Sequence, residues 1–214
     1  MKGKFITFEG GDGAGKSLQV ERFADYLRKM GKEVIITREP GGTEVGREIR
    51  KLLVEGSRDK FDVVAEVLLF YADRRIHLEK LIKPALLEGK YVISDRFNDS
   101  TIAYQYYGSK KFSDLRILDE LYGIVAEGFK PDLTVLLDVD VKTGLTRSFK
   151  KAEALETKEL RFENEEFGFH QRLKDGYLEL AKMEPERFVV VDANGTVDEV
   201  FNEMIKKVRE KGII

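Results

Sequence analysis

Gly10-Gly11-Asp12-Gly13-Ala14-Gly15-Lys16-Ser17 is the stretch that decides the fold of this chain. Its spacing is G-x-x-x-x-G-K-[ST]. It lies between an apolar β-rich run ending at Glu9 and a stretch of helical periodicity opening at Lys16. Strand, glycine turn and helix follow one another in the order that a phosphate-binding loop requires. The glycines let successive N–H groups turn inward around an anion. The helix N-terminus adds the positive end of its dipole. Lys16 then brings a point charge to the β- and γ-phosphates of a nucleoside triphosphate, and Ser17 brings a hydroxyl to its magnesium ion. A chance glycine-rich turn needs no such flanking elements. Gly10, Gly11, Asp12, Gly13, Ala14, Gly15, Lys16 and Ser17 are therefore the expected triphosphate-binding set.

Working outward, five short runs read as strands: Lys4 to Phe8, Glu33 to Thr37, Tyr91 to Ser94, Leu133 to Leu137 and Phe188 to Val191. Most are nearly continuous in apolar residues, as in strands buried on both faces. Helical stretches separate them. Lys16 to Met30 gathers Leu18, Val20, Phe23, Ala24 and Leu27 largely on one face, and Gly31 stops it. Val63 to Leu87 reads as one long helix, bent or broken near Pro84. Ser113 to Glu127 and Val197 to Lys211 are amphipathic. Alternating strands and helices predict an α/β fold: a three-layer P-loop NTPase sandwich with a five-stranded parallel sheet covered by helices on both faces.

The chain has 214 residues, which suits a single domain over 1–214. Charged residues make up 36%, but the formal net charge is only -2. That balance argues against a polybasic nucleic-acid face. No run approaches the ~18 apolar residues of a membrane span, so no membrane partner is expected. There is no cysteine, and the N-terminus enters a core strand without a signal-like apolar stretch. A cytoplasmic setting is the expectation.

A guanine-reading N-K-x-D is absent, and so is a strand ending in Asp-Glu. The third strand ends instead in Ser94-Asp95-Arg96. At the carboxyl edge of a neighbouring parallel strand, Asp95 can position magnesium and Arg96 can clamp an anionic acceptor. In isolation the pair also reads as a plain strand terminus. Phe70 lies one helical turn before Arg74, so the two share a face. A ring suits stacking on a flat base, and a guanidinium suits a carbonyl edge. Alone, Phe70 reads better as core beside Val67, Leu68 and Leu69. Tyr104 reads equally as packing with Tyr106 and Tyr107. Arg38 to Thr43 reads first as a turn after the second strand.

The segments FEGGDGAGKS (8–17), TREPGGT (37–43), LLFYADR (68–74) and SDRFNDSTIAYQ (94–105) together resemble the bacterial type of thymidylate kinase. The resemblance is collinear and continues through PDLTVLLDV (131–139) to VVDANG (190–195). It implies transfer of a phosphoryl group from ATP, with Mg²⁺, to dTMP by a homodimeric enzyme. It implies that Phe70 stacks on thymine, Arg74 bonds a base carbonyl, and Tyr104 lies against the deoxyribose. Thr101 and Gln105 would lie near the base edge. Arg38 would contact the acceptor phosphate, and Pro40 would follow a cis peptide in a loop lining the acceptor. Asp12 would approach the sugar 3′-hydroxyl and the transferring phosphate. A kinase of another nucleoside monophosphate, and a non-catalytic ATP-binding module, are the alternatives.

Lys150 to Arg161, KKAEALETKELR, reads alone as either a solvated helix face or a basic lid over the phosphates. No basic residue precedes Lys16 in the loop, so the resemblance places the missing charge in a short lid spanning about 148–163. Arg147, Lys150, Lys151, Lys158 and Arg161 are its candidates, with Arg147 also assigned to ATP. Leu160-Arg161-Phe162-Glu163 resembles the family's Asp-Arg-Ile/Met-Glu and selects Arg161 as the catalytic cation. Leu160 departs from that pattern. Glu163 would face the acceptor base or cap the next helix.

Overall fold

The computed structural model of the chain describes residues 3–57, 60–110, 112, 114–155, 162 and 165–214. Five strands form one parallel sheet in the order β2-β3-β1-β4-β5: β1 Phe5–Glu9, β2 Val34–Arg38, β3 Tyr91–Asp95, β4 Leu133–Asp138 and β5 Phe188–Asp192. All five strands extend one residue beyond the apolar run at the C-terminal end; in β3, for example, the added residue is Asp95. β1 is central. The connection after β1 crosses over β3 to reach β2, whereas the connection after β3 crosses over β1 to reach β4, so the crossovers run to opposite sides and a crevice opens at the carboxyl end of β1.

The side chains of β1 alternate between two environments. Ile6 and Phe8 join Val20, Phe23 and Leu27 of α1 (Lys16–Lys29) and Met204 and Val208 of α9 (Val197–Glu210). Phe5 joins a second apolar cluster with Val92, Phe97 and Leu78. A third cluster, around Leu136, Leu173 and Tyr177, is built on α8 (Phe167–Met183). Helices therefore cover both faces. Leu18, grouped above with the buried face of α1, is 49% exposed at the lip of the crevice, because Lys16 and Gln19 occupy the inward positions of that first turn.

The remaining helices are α2 (Glu44–Val54), α3 (Val63–His77), α4 (Lys83–Leu87), α5 (Asn98–Thr101), α6 (Leu115–Ala126) and α7 (Val141–Leu155). Between α3 and α4 the chain stays helical but widens to a π-turn over Leu78–Ile82. The break falls just before Pro84, whose ring crowds the carbonyl four residues earlier and which lacks an N–H of its own. A second π-turn, Ile102–Gly108, follows α5 and carries Tyr104 and Gln105. Lys150 and Lys151 belong to α7, so the first half of the basic segment is helix.

Candidate active site

A cleft of about 930 Å³ runs along the carboxyl edge of the sheet, from the β1–α1 loop past α3 and α5 to the loop after β5. One end, the β1–α1 loop, is built largely of backbone. Gly13 has φ 72°, and a Cβ there would lie 1.9 Å from the Gly144 carbonyl oxygen. Gly10 has φ 137°, and its Cβ would lie 2.4 Å from Leu137 O. Neither position admits a side chain, so the loop can close tightly around an anion. Lys16 Nζ donates to Gly10 O (2.9 Å) and Gly11 O (2.8 Å). Burial, reinforced by nearby Arg96, lowers its pKa to about 8. Ser17 Oγ donates to Asp95 Oδ2 at 2.8 Å.

Arg96 crosses the floor of the cleft in a left-handed conformation, φ 71°. Its Nη2 donates to Asp12 Oδ1 (2.7 Å) and to the Tyr104 hydroxyl (2.9 Å). Its Nη1 reaches Gly10 O, Ser100 Oγ and the Tyr177 hydroxyl within 3.0–3.2 Å. These partners hold a rare backbone angle in place. Burial pushes the Asp12 carboxyl up, but Arg96 and then Lys16 overrule it and hold the group below its usual range. Beneath them Glu9, wholly buried, accepts from Phe97 N (2.7 Å) and Ser100 Oγ (2.5 Å). Burial, with the Asp99 charge nearby, pushes Glu9 up to about 7.

The opposite end is made of long side chains. Arg74, 1% exposed, donates from Nε to Glu39 Oε2 (2.8 Å), from Nη1 to Asn98 Oδ1 (3.0 Å) and from Nη2 to Thr101 Oγ1 (3.0 Å). Its guanidinium carbon lies 5.1 Å from the Tyr71 ring centroid and 5.0 Å from that of Phe97. The other oxygen of Glu39 lies 2.8 Å from His77 Nδ1, and His77 Nε2 lies 2.7 Å from Thr37 Oγ1. Asp73 accepts from Gly41 N at 3.2 Å, which anchors the turn after the cis Glu39–Pro40 peptide. Burial and the neighbouring Glu39 push Asp73 up to about 7.

Phe70 is half-buried on the cleft wall and belongs to none of the three apolar clusters, so it is not the core residue its neighbours suggested. Tyr104 has two environments. Its ring packs edge-on to Phe162 (5.4 Å) and Phe169 (6.0 Å), while its hydroxyl donates to Asp12 Oδ2 (2.7 Å). Tyr106 and Tyr107 pair with one another instead. At the far end Arg147 Nη1 donates to Ala193 O (2.9 Å), beside Thr196 and Val197.

The family model described as thymidylate kinase matches residues 8–204. The thymidylate kinase of Desulfosudis oleivorans is 44% identical over 203 residues, covering 94% of this chain and 94% of that protein. The thymidylate kinase of Sulfurihydrogenibium sp. is 40% identical over 212 residues, covering 99% of this chain and 100% of its own. The crystal structure of thymidylate kinase from Ehrlichia chaffeensis superposes with a TM-score of 0.77 at 36% identity, covering 98% of this chain and 99% of that one. The chain belongs to the thymidylate kinase family.

Within that family's fold, the residues singled out from the sequence fall as follows. Asp12 to Ser17, Arg38, Pro40, Phe70, Arg74, Asp95, Arg96, Thr101, Tyr104, Gln105 and Arg147 all line the one cleft. Gly10 and Gly11 lie just behind it and accept from Lys16. Of the lid cations, Lys151 lines the cleft and Lys150 is exposed on α7. Lys158, Arg161 and Glu163 lie outside the described residues. Sequence reasoning missed Glu9, Glu39, Glu66, Asn98, His77 and Tyr177 as parts of the site. Glu9, Glu39 and Asn98 stood inside quoted motifs, but with no role of their own. Tyr177 comes from α8, with no local signal to connect it to Arg96.

Proposed function

We propose that this chain catalyses ATP + dTMP = ADP + dTDP. The observation that carries the reading is that one cleft joins a phosphate loop to a wall where Phe70 and the buried Arg74 stand side by side, in a chain of the thymidylate kinase family. The acceptor's 5′-phosphate oxygen attacks the γ-phosphorus, a new P–O bond forms, and the bond to the β-phosphate bridging oxygen breaks. The protein's part is alignment and charge. Lys16 leaves the carbonyls of Gly10 and Gly11 for the phosphates when ATP enters. Arg96, held by Asp12 and Tyr104, faces the point where the two anions meet. Arg161 is assigned as the lid cation on its sequence context alone. Arg147 and the loop after β5 serve the ATP side.

The hydroxyl of Ser17 and the carboxylate of Asp95, 2.8 Å apart, are hard oxygen donors that fit Mg²⁺. No group of three or more acidic, His or Cys ligands occurs among the described residues. That suits an ion that keeps most of its waters and binds through substrate phosphates. When bound, it neutralises charge on the β- and γ-oxygens.

Phe70 is assigned to stack on the thymine ring, Arg74 to bond its carbonyl, Tyr104 to close the deoxyribose side and Arg38 to meet the acceptor phosphate. No described helix is long and apolar enough to cross a membrane, and the chain has no cysteine; both suit a cytoplasmic enzyme. A homodimer is proposed through α3 and α6, where Val64, Leu68, Ile117 and Ile124 are exposed. Sedimentation at micromolar concentration tests it, with a monomer as the contrary result. The activity is tested by ADP release with dTMP, dUMP, UMP, CMP and AMP. Preference for a ribonucleotide or a purine would overturn the acceptor assignment, and no turnover with any would leave an ATP-binding module.

A further inference from the structure

Gln105 stands in the π-turn after α5 and lines the cleft. It is only 2% exposed. Its Nε2 donates to Glu66 Oε1 at 2.8 Å. Its Oε1 is cut off from solvent and has no hydrogen-bond partner among the described residues. A buried carbonyl oxygen left in that state is costly unless a ligand supplies a donor. Glu66 is itself buried, on α3 one turn before Phe70. An ionised carboxylate can only accept. It therefore takes the NH₂ end of the Gln105 amide; a flipped amide would set oxygen against oxygen.

We propose that Glu66 is a positioning residue for acceptor specificity: it holds the Gln105 amide with its oxygen free for an N–H of the acceptor base. This rests on the reading of the acceptor wall given above. The neighbouring group supplies the complementary half. The three bonds of Arg74 to Glu39, Asn98 and Thr101 leave one N–H on each terminal nitrogen uncommitted. Thr101, which Arg74 grips, lies four residues before Gln105 on the same helical run. The wall thus offers a donor from Arg74 and an acceptor from Gln105. A base edge with a carbonyl beside a ring N–H, as in thymine, satisfies both. Cytosine presents an amine and a bare ring nitrogen, and meets like groups at both points. Sites that bury hydrogen-bonding groups discriminate strongly against ligands that leave them unpaired.

A glutamine at position 66 can take either end of the Gln105 amide, whereas an aspartate remains acceptor-only. The experiment compares kcat/KM for dTMP and dCMP in the wild type, Glu66→Gln and Glu66→Asp, with KM for ATP and the melting temperature alongside. In Glu66→Gln the dTMP preference should fall roughly 10- to 100-fold, the range set by one unpaired buried polar group. KM for ATP should not move. Glu66→Asp should keep the preference even where turnover with dTMP declines. An unchanged preference in Glu66→Gln, or equal loss in both variants, would overturn the proposal and assign Glu66 to packing alone. A wild type that favours dCMP would overturn the acceptor assignment itself, and this inference with it.

Discussion

At the donor end of the cleft the protein offers backbone: a loop whose turns at Gly10 and Gly13 admit no Cβ, with Lys16 and Ser17 at the start of α1. At the acceptor end it offers side chains of Phe70, Arg74, Thr101 and Gln105. Two buried carboxylates, Glu39 and Glu66, grip two of them from behind. The first wall binds mainly through amides that the turn itself orients, with Lys16 as a buried charge beside them and the Arg96–Asp12 pair still partly exposed. The second rests on a fully buried ion pair, Arg74 with Glu39, which is tolerable only while every partner stays in place. Chemistry should therefore be concentrated on the donor wall, and stability should depend more on the acceptor wall.

Glu39→Gln puts the greatest strain on this comparison. It removes the counter-charge of a fully buried Arg74 and the anionic partner of His77. Breaking one member of a buried ion pair costs about 3–5 kcal/mol. Denaturant titration should show a loss of that order, and KM for dTMP should rise while KM for ATP holds. Unchanged stability would mean that Asn98 and Thr101 suffice to solvate the guanidinium. Lys16→Met is the counterpart on the donor wall. Turnover should fall about 10²–10³-fold, as when one preorganised charge stabiliser is lost. Stability should hold or rise, since burial already disfavours the charged amine there. A destabilised Lys16→Met variant would break the division of labour between the walls.

The same division explains what the sequence makes legible. A backbone-built site needs its glycines and lysine within one short window, so residues 10–17 could be read directly. The five strands were equally open to reading, because burial on both faces leaves near-continuous apolar runs. The acceptor wall draws on β2, α3, α5 and the π-turn after it, and sequence spacing does not encode which carboxylate will face which cation. Phe70 shows the limit: Val67 and Tyr71 on the same helix are core residues, Leu68 is exposed, and only the rotation of α3 turns the Phe70 ring to the cleft. The resemblance to the family named Phe70, Arg74 and Gln105, but the residues that hold the latter two, Glu39, Asn98 and Glu66, went unassigned.

Phe70→Ala sharpens the comparison at smaller scale. Stacking of a base on an aromatic ring contributes about 1–3 kcal/mol by alanine substitution. Binding of dTMP should weaken by roughly that amount, with ATP affinity and folding stability little changed, because the ring belongs to no core cluster. Calorimetric titration with each nucleotide separates the two. Equal loss for both would place the ring outside the acceptor site.

The gentlest contrast is in pH. On the donor wall, Arg96 and Lys16 hold Asp12 below its usual value, so its contribution to stability is present above about 4 and fades only as acid protonates it. Asp73, behind the acceptor loop, is displaced the other way, from 3.8 to about 7, by burial and by Glu39. Between those two values the native state keeps a proton that the unfolded chain releases. The native state thus binds more protons, and its stability falls as pH rises through the window. One such group contributes a slope of at most about 1.4 kcal/mol per pH unit. Asp73→Asn removes it, since an amide does not titrate, yet its oxygen can still accept from Gly41 N. The variant should gain on the wild type as pH goes from 4.5 to 7 and keep a constant lead above that. A residual slope should remain, because Glu9 is displaced upward too, to about 7. Parallel stability curves for the two proteins would mean that Asp73 titrates as it does in water, and that the acceptor wall stores less electrostatic strain than its burial implies.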